Sequence, residues 1–215
     1  MKITIVYDNE LFTKGNNLQS GWGFACIIES NEDTILFDTG EKGEILLNNL
    51  KILNIGPLSI NKIVISHEHS DHKGGLKTLI SHIKEVELYQ LSDDSFQNNI
   101  KTCFPKEPQK INENIWTTGR IRGTMDEQSL ILKGETGWFV LTGCSHPGVD
   151  KILEKSGRIG RIKGLIGGFH DFNNFNVVEN LNIICPCHCT SHKNELKNKF
   201  PEKIIEGGVG KIIEI

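Results

Sequence analysis

No stretch of this 215-residue chain is long and apolar enough to span a membrane. Residues 1–8 alternate like a strand and lack the layout of a secretory signal, which points to a cytoplasmic protein. Lys and Arg number 24 against 27 Asp and Glu, so the net charge of -3 offers no basic excess to hold nucleic acid or an anionic membrane. There is no low-complexity segment and no repeat at fixed period. No Gly-x-Gly-x-x-Gly follows the first strand-like run, which excludes a dinucleotide-binding reading. What remains is the composition of a globular protein, 37% hydrophobic and 24% charged, and a single α/β domain over residues 1–215 is expected.

Cysteine is present, but not as a disulfide framework. Cys26, Cys103 and Cys144 are scattered, whereas Cys185, Cys187 and Cys189 alternate in Cys185-Pro186-Cys187-His188-Cys189. Alternate residues of a strand share a face, so these three can act together as soft metal ligands. Their spacing is not that of a zinc ribbon, and no Cys-x-x-Cys partners them. The expectation is reduced thiols beside a site, with Cys144, Cys187 and Cys189 as the candidates.

The densest chemistry lies in Ser66-His67-Glu68-His69-Ser70-Asp71-His72-Lys73-Gly74-Gly75. It follows Lys62-Ile63-Val64-Ile65, a short apolar run that reads as a buried strand. Ligands at the end of a strand enter a loop where a metal and a substrate can reach them. Imidazoles and carboxylates suit zinc first, with iron or manganese as alternatives. His67 and His69 share one face of an extended chain, while Asp71 and His72 turn toward a second ion. Lys73 can pair with a phosphate, although a lysine here is more often solvated.

Strands are expected over residues 1–8, 22–29, 33–38, 62–66, 86–89, 115–118, 129–133, 137–142, 163–168, 182–186 and 209–215. Helices are expected over 44–54, 76–83, 149–155, 177–181 and 191–200. Turns fall at 15–17 and 30–33, and the polar stretch 92–114 reads as a loop with short helical pieces. Strand-rich halves with recurring strand–helix units favour two mixed sheets with helices outside. Further ligand-type residues sit where apolar strands stop: Asp38 after Phe37, His146 after the run 138–145, His170 after Phe169 and His188 after Cys187. His82 and His192 lie on expected helices and read as solvated or structural.

Phe37-Asp38-Thr39-Gly40, then His67-x-His69-x-Asp71-His72-x-Gly74-Gly75, then His146 and His188, in this order, resemble the metallo-β-lactamase superfamily. Leu141-Thr142-Gly143-Cys144-Ser145-His146-Pro147-Gly148, Gly167-Gly168-Phe169-His170 and Pro186-Cys187-His188-Cys189-Thr190 resemble one branch within it. That branch is named for 7,8-dihydropterin-6-ylmethyl-4-(β-D-ribofuranosyl)aminobenzene 5′-phosphate synthase. The resemblance implies a four-layer αββα sandwich with one or two divalent ions at one edge. It implies a first ion on His67, His69 and His146, a second on Asp71, His72 and His188, and Asp38 orienting a ligand histidine. Dinuclear relatives bridge their ions with an Asp after the strand that here ends in Gly167-Gly168-Phe169-His170. Either His170 replaces that bridge, or the second site is weaker, or one ion suffices.

The function implied is a hydrolase or transferase acting on a phosphate-containing small molecule. Asp71 would hold the attacking water, and His170 would bind substrate phosphate or protonate a leaving group. Two rivals stand beside it: a diiron redox protein, against which His69 argues, and a non-catalytic metal-binding or redox-sensing protein.

Overall fold

A computed structural model describes residues 1–12, 14–30, 33–94, 96 and 99–215. The chain divides into two compact units, residues 1–105 with 207–214, and residues 106–206 with 215.

The first unit is built on a seven-stranded mixed sheet. β1 (Lys2–Tyr7), β2 (Ala25–Glu29) and β3 (Thr34–Phe37) pair antiparallel. β4 (Lys62–Val64), β5 (Val86–Tyr89) and β6 (Ile100–Cys103) continue in parallel from β3. The last strand of the chain, β13 (Ile212–Glu214), closes the other edge on β1. Parallel neighbours need crossovers, because a hairpin cannot return the chain in the same direction. Helix α1 (Gly43–Ile52) makes the crossover from β3 to β4, and α2 (Ser70–Lys73) with α3 (Leu76–Ile80) that from β4 to β5. Leu46 and Leu50, one turn apart on α1, are fully buried with Leu36, Ile63 and Leu88. Each such burial contributes about 1.5–3 kcal/mol. Asn49 on the same helix is tied down by its Nδ2 donating to the carbonyl of Val6 at 2.9 Å.

The second unit carries six strands. β7 (Gln109–Asn112), β8 (Ile115–Thr117), β9 (Leu130–Lys133) and β10 (Trp138–Thr142) pair antiparallel in order. β11 (Ile162–Gly168) and β12 (Ile183–Cys187) then add in parallel beyond β10. Helix α4 (Val149–Gly157) makes the crossover from β10 to β11, and α5 (Lys193–Lys199) follows β12. Val140, Leu165 and Ile184 from the three parallel strands pack with Val149, Ile152 and Leu196 from the helices.

In each unit the parallel strands end on one edge of their own sheet. β3 and β4 deliver Asp38 and His67 there, and β10, β11 and β12 deliver His146, His170 and His188. Parallel α/β sheets characteristically place ligand-binding residues at these carboxyl ends.

The largest departure from the sequence expectation is the stretch 92–114. It holds β6 and β7, both edge strands, whose partly exposed Ile100-Lys101-Thr102-Cys103 and Gln109-Lys110-Ile111-Asn112 lack a buried alternating face. Residues 95, 97 and 98 of that stretch, and 31 and 32 of the turn 30–33, lie outside the described residues. The helix expected at 177–181 is a 3-10 turn at Phe175–Val178. No helix among the described residues is long and apolar enough to cross a membrane.

Candidate metal centre

The ligand-type residues of the first unit hang from one buried carboxylate. Asp38 sits past β3 with a left-handed φ of 58° and is fully buried. Its Oδ1 accepts the amide N–H of Ser66 at 2.7 Å, and its Oδ2 accepts the Ser66 hydroxyl at 2.8 Å and His72 Nδ1–H at 2.7 Å. With the Ser66 hydroxyl donating to Asp38, the serine oxygen accepts from His67 Nδ1, 2.8 Å away. Both imidazoles therefore donate from Nδ1 and turn Nε2 away from this anchor, the orientation a metal ligand requires.

His67 Nε2 then lies 3.2 Å from His69 Nδ1. Two imidazole nitrogens on one tetrahedral zinc, each about 2.0–2.1 Å from it, would stand about 3.4 Å apart. The donor set of this loop thus fits a divalent ion. On the other side of His72, its Nε2 is 3.7 Å from Asp71 Oδ2. The loop is held by Thr39, whose N–H and hydroxyl both donate to the carbonyl of His72, at 2.7 and 2.9 Å. Gly74 and Gly75 permit this fit: a Cβ on either would come within 2.3 Å of the Glu41 carbonyl oxygen or 2.4 Å of that of Thr39.

Lys73 does not extend toward a substrate. Its ammonium is bound to Glu68 at 2.6 Å, to the Ser92 hydroxyl at 3.0 Å and to Asp94. Burial opposes its charge, but the hydrogen bonds to Asp94 and Glu68 outweigh that and hold its pKa above the usual lysine value.

The second unit has its own organising carboxylate, Glu127, which stands in Glu127-Gln128-Ser129-Leu130, a motif that resembles the same branch but to which the sequence alone assigns no role. Glu127 is fully buried, and its Oε1 accepts the amide N–H groups of Gly143, Cys144 and Ser145 at 3.0, 3.0 and 3.1 Å and the Thr142 hydroxyl at 2.9 Å. Its Oε2 accepts the amide of His146 at 2.8 Å. One carboxylate thus shapes the turn that carries His146. The signal was a glutamate beside Asp126, before the apolar run 129–133, with nothing local to show that it faces a turn some twenty residues on.

Ser145, His170 and His188, each just past a strand of this sheet, hold left-handed φ values of 64°, 48° and 44°. Such backbone costs of order 1–3 kcal/mol per residue and clusters at functional sites. The His146 and His170 rings lie 4.7 Å apart, and both border a cleft of about 540 Å³ with Ser145, Phe169, Phe172 and Asn174 on its wall.

The thiols group differently from the sequence expectation. Cys185 and Cys187 do share a face, with sulfurs 3.7 Å apart. The left-handed turn at His188 breaks the alternation, and Cys189 Sγ lies instead 3.3 Å from Cys144 Sγ. None of the six cysteines forms a disulfide. His192 Nδ1 pairs with Glu195 Oε1 at 2.9 Å, and His82 sits against Ser81 and the Thr78 carbonyl, as structural or solvated histidines do.

A sequence profile described as the Metallo-beta-lactamase superfamily matches residues 23–154. The chain is 28% identical to the 7,8-dihydropterin-6-methyl-4-(beta-D-ribofuranosyl)-aminobenzene-5'-phosphate synthase of Methanocaldococcus jannaschii, with 91% of this chain and 90% of that protein covered. It is 30% identical to an uncharacterized protein of the same organism, covering 99% and 100%. Among solved structures, a metal-dependent hydrolase of the β-lactamase superfamily matches with a TM-score of 0.79 and 25% identity, covering 100% of this chain and 99% of that one.

Proposed function

Because the chain belongs to the metallo-β-lactamase superfamily, with its αββα sandwich fold, we propose that it is a metal-dependent enzyme acting on a phosphate-containing small molecule. The observation that carries this reading is the pair His67 Nε2 and His69 Nδ1, 3.2 Å apart, with His67 and His72 both anchored through Nδ1. Residues 1–215 work in this reading as one domain. His67, His69 and His146 hold a first ion, and Asp71, His72 and His188 hold a second and weaker one. Zinc is the first choice, with iron or manganese as alternatives. When bound, such ions supply Lewis acidity and lower the pKa of water to about 7.

The roles of the chain's own groups follow from their places. Asp38 keeps the proton of His72 on Nδ1, and of His67 through Ser66. Asp71 orients the attacking water; in a synthase-like transfer no water attacks and the departing pyrophosphate would be held by the ions. His170, on the wall of the cleft, binds a substrate phosphate or donates a proton to the leaving oxygen. The relative named as a synthase supports a phosphate-bearing substrate, and the relative named as a hydrolase supports metal dependence.

The test is a turnover screen of metal-loaded protein against phosphodiesters, a pterin diphosphate, thioesters, lactones and a β-lactam. Turnover of a phosphodiester or the diphosphate, abolished by chelation and in His69→Ala, is the expected result. Activity confined to non-phosphate substrates, or indifferent to chelation, would overturn the reading.

A further inference from the structure

We propose that Cys144, Cys189 and His170 form a soft-metal site that takes a thiophilic cation such as Zn²⁺. One ligand atom from each of the three lies within 4.8 Å of the others, and the group contains no carboxylate. Two thiolates and an imidazole suit zinc and its soft congeners rather than magnesium or calcium, and a Cys2His set leaves a fourth position open.

The spacing, that of two reduced thiols in contact, accommodates a metal clamp with little movement. Two thiolates about 2.3 Å from a tetrahedral zinc stand about 3.8 Å apart. A disulfide would bring the sulfurs to about 2.05 Å. The observed 3.3 Å between Cys144 and Cys189 is nearer the first value. Binding would release the thiol protons to solvent and need an opening of only about half an ångström.

The surrounding backbone is built to hold the three together. A Cβ on Gly168 would sit 2.7 Å from Cys189 Sγ and 2.5 Å from the Gly143 carbonyl oxygen, so the space beside this glycine is filled by the thiol and the β10 turn. The amide of Ser191 donates to the His170 carbonyl at 2.9 Å, and the amide of Phe169 donates to the Thr190 hydroxyl at 3.0 Å, tying the ends of β11 and β12 to each other. Glu127 fixes Cys144 through its amide. Cys144 is buried, while His170 and Cys189 are partly exposed, which gives an ion a route in. The site shares His170 with the proposed reaction, so filling it would withdraw that side chain from any substrate in the cleft.

The test uses the full chain, purified in a phosphine reductant, stripped of metal and titrated with Cd²⁺ while the ultraviolet thiolate-to-cadmium band is followed. A saturable band is expected, retained in a His67→Ala/His69→Ala double variant and in Cys185→Ser. Affinity should fall by more than about tenfold in Cys144→Ser and Cys189→Ser, and detectably in His170→Ala. A second measurement needs no variant to fold: alkylation of the wild-type protein with and without Cd²⁺, read peptide by peptide. Cd²⁺ should protect Cys144 and Cys189 while leaving Cys103 reactive. An undiminished band in Cys189→Ser, protection of Cys185 and Cys187 instead, or a Cys144–Cys189 disulfide in the reductant-purified protein would overturn the proposal. Failure of the proposed reaction leaves the band intact, so the two outcomes are separable.

Discussion

His72 donates its Nδ1–H to Oδ2 of Asp38 at 2.7 Å, with both side chains fully buried. That bond, together with the path from Asp38 through Ser66 to His67, makes one carboxylate the common anchor of two imidazoles. Asp38→Asn should therefore weaken divalent-metal binding by about 10–100-fold while leaving every proposed ligand in place. Metal titration of the purified variant checks this, and an unchanged affinity would remove Asp38 from the site.

Glu127 offers a similar test in the second unit. Glu127→Ala leaves the amides of residues 143–146 without their shared acceptor and should cost more than about 3 kcal/mol in urea unfolding. Glu127→Gln restores part of the acceptor capacity and should recover much of the stability. Metal affinity in the glutamine variant should still fall, because the turn bearing His146 loosens; a variant destabilised but binding metal normally would mark Glu127 as purely structural.

The two proposed ions should respond separately to ligand removal. His69→Ala is expected to abolish tight binding, whereas His188→Ala should chiefly lower occupancy of the weaker ion. Elemental analysis after dialysis reads both stoichiometries. Equal and complete loss of metal from both variants contradicts the division.

His170→Ala should fold and keep both catalytic ions but lose most turnover, since an acid–base group contributes about 10²–10⁴-fold. Loss of one ion with the side chain would make it a ligand of that centre. Wild-type turnover with full metal content would leave it neither role.

Lys73 supplies a pH prediction. Its pKa is raised in the folded chain, so the stability it confers is fully present below the ordinary lysine pKa of about 10.4 and is lost as pH rises through the folded value. Lys73→Met should lower the melting temperature at neutral pH and flatten its decline at alkaline pH. Thermal melts of both proteins from about pH 7 to about pH 12 test this, and parallel curves would count against it.

Much of the arrangement was readable from local pattern. Apolar runs of four to six residues marked the buried strands, and the residue after each run marked where a ligand could emerge, as at Asp38, His67, His146, His170 and His188. The polar edge strands β6 and β7 were not readable, because a strand that is only partly buried, with no fully buried face, shows no clean alternation.

The sequence by itself determined which donor types the chain carries, their order, and their position at the ends of strands, since these follow from residue identity and short-range periodicity. The tertiary structure alone decided the partners. Lys73 meets Asp94 rather than a ligand, Cys189 meets Cys144 rather than Cys185 and Cys187, and Glu127 reaches the amides of Gly143 through His146. Each of these pairs spans from sixteen to forty-five positions; strand order brings the members together, and in the second unit so do the left-handed turns at Ser145 and His188. Periodicity reports which face a side chain takes; it carries no information about what stands on the other side of that face.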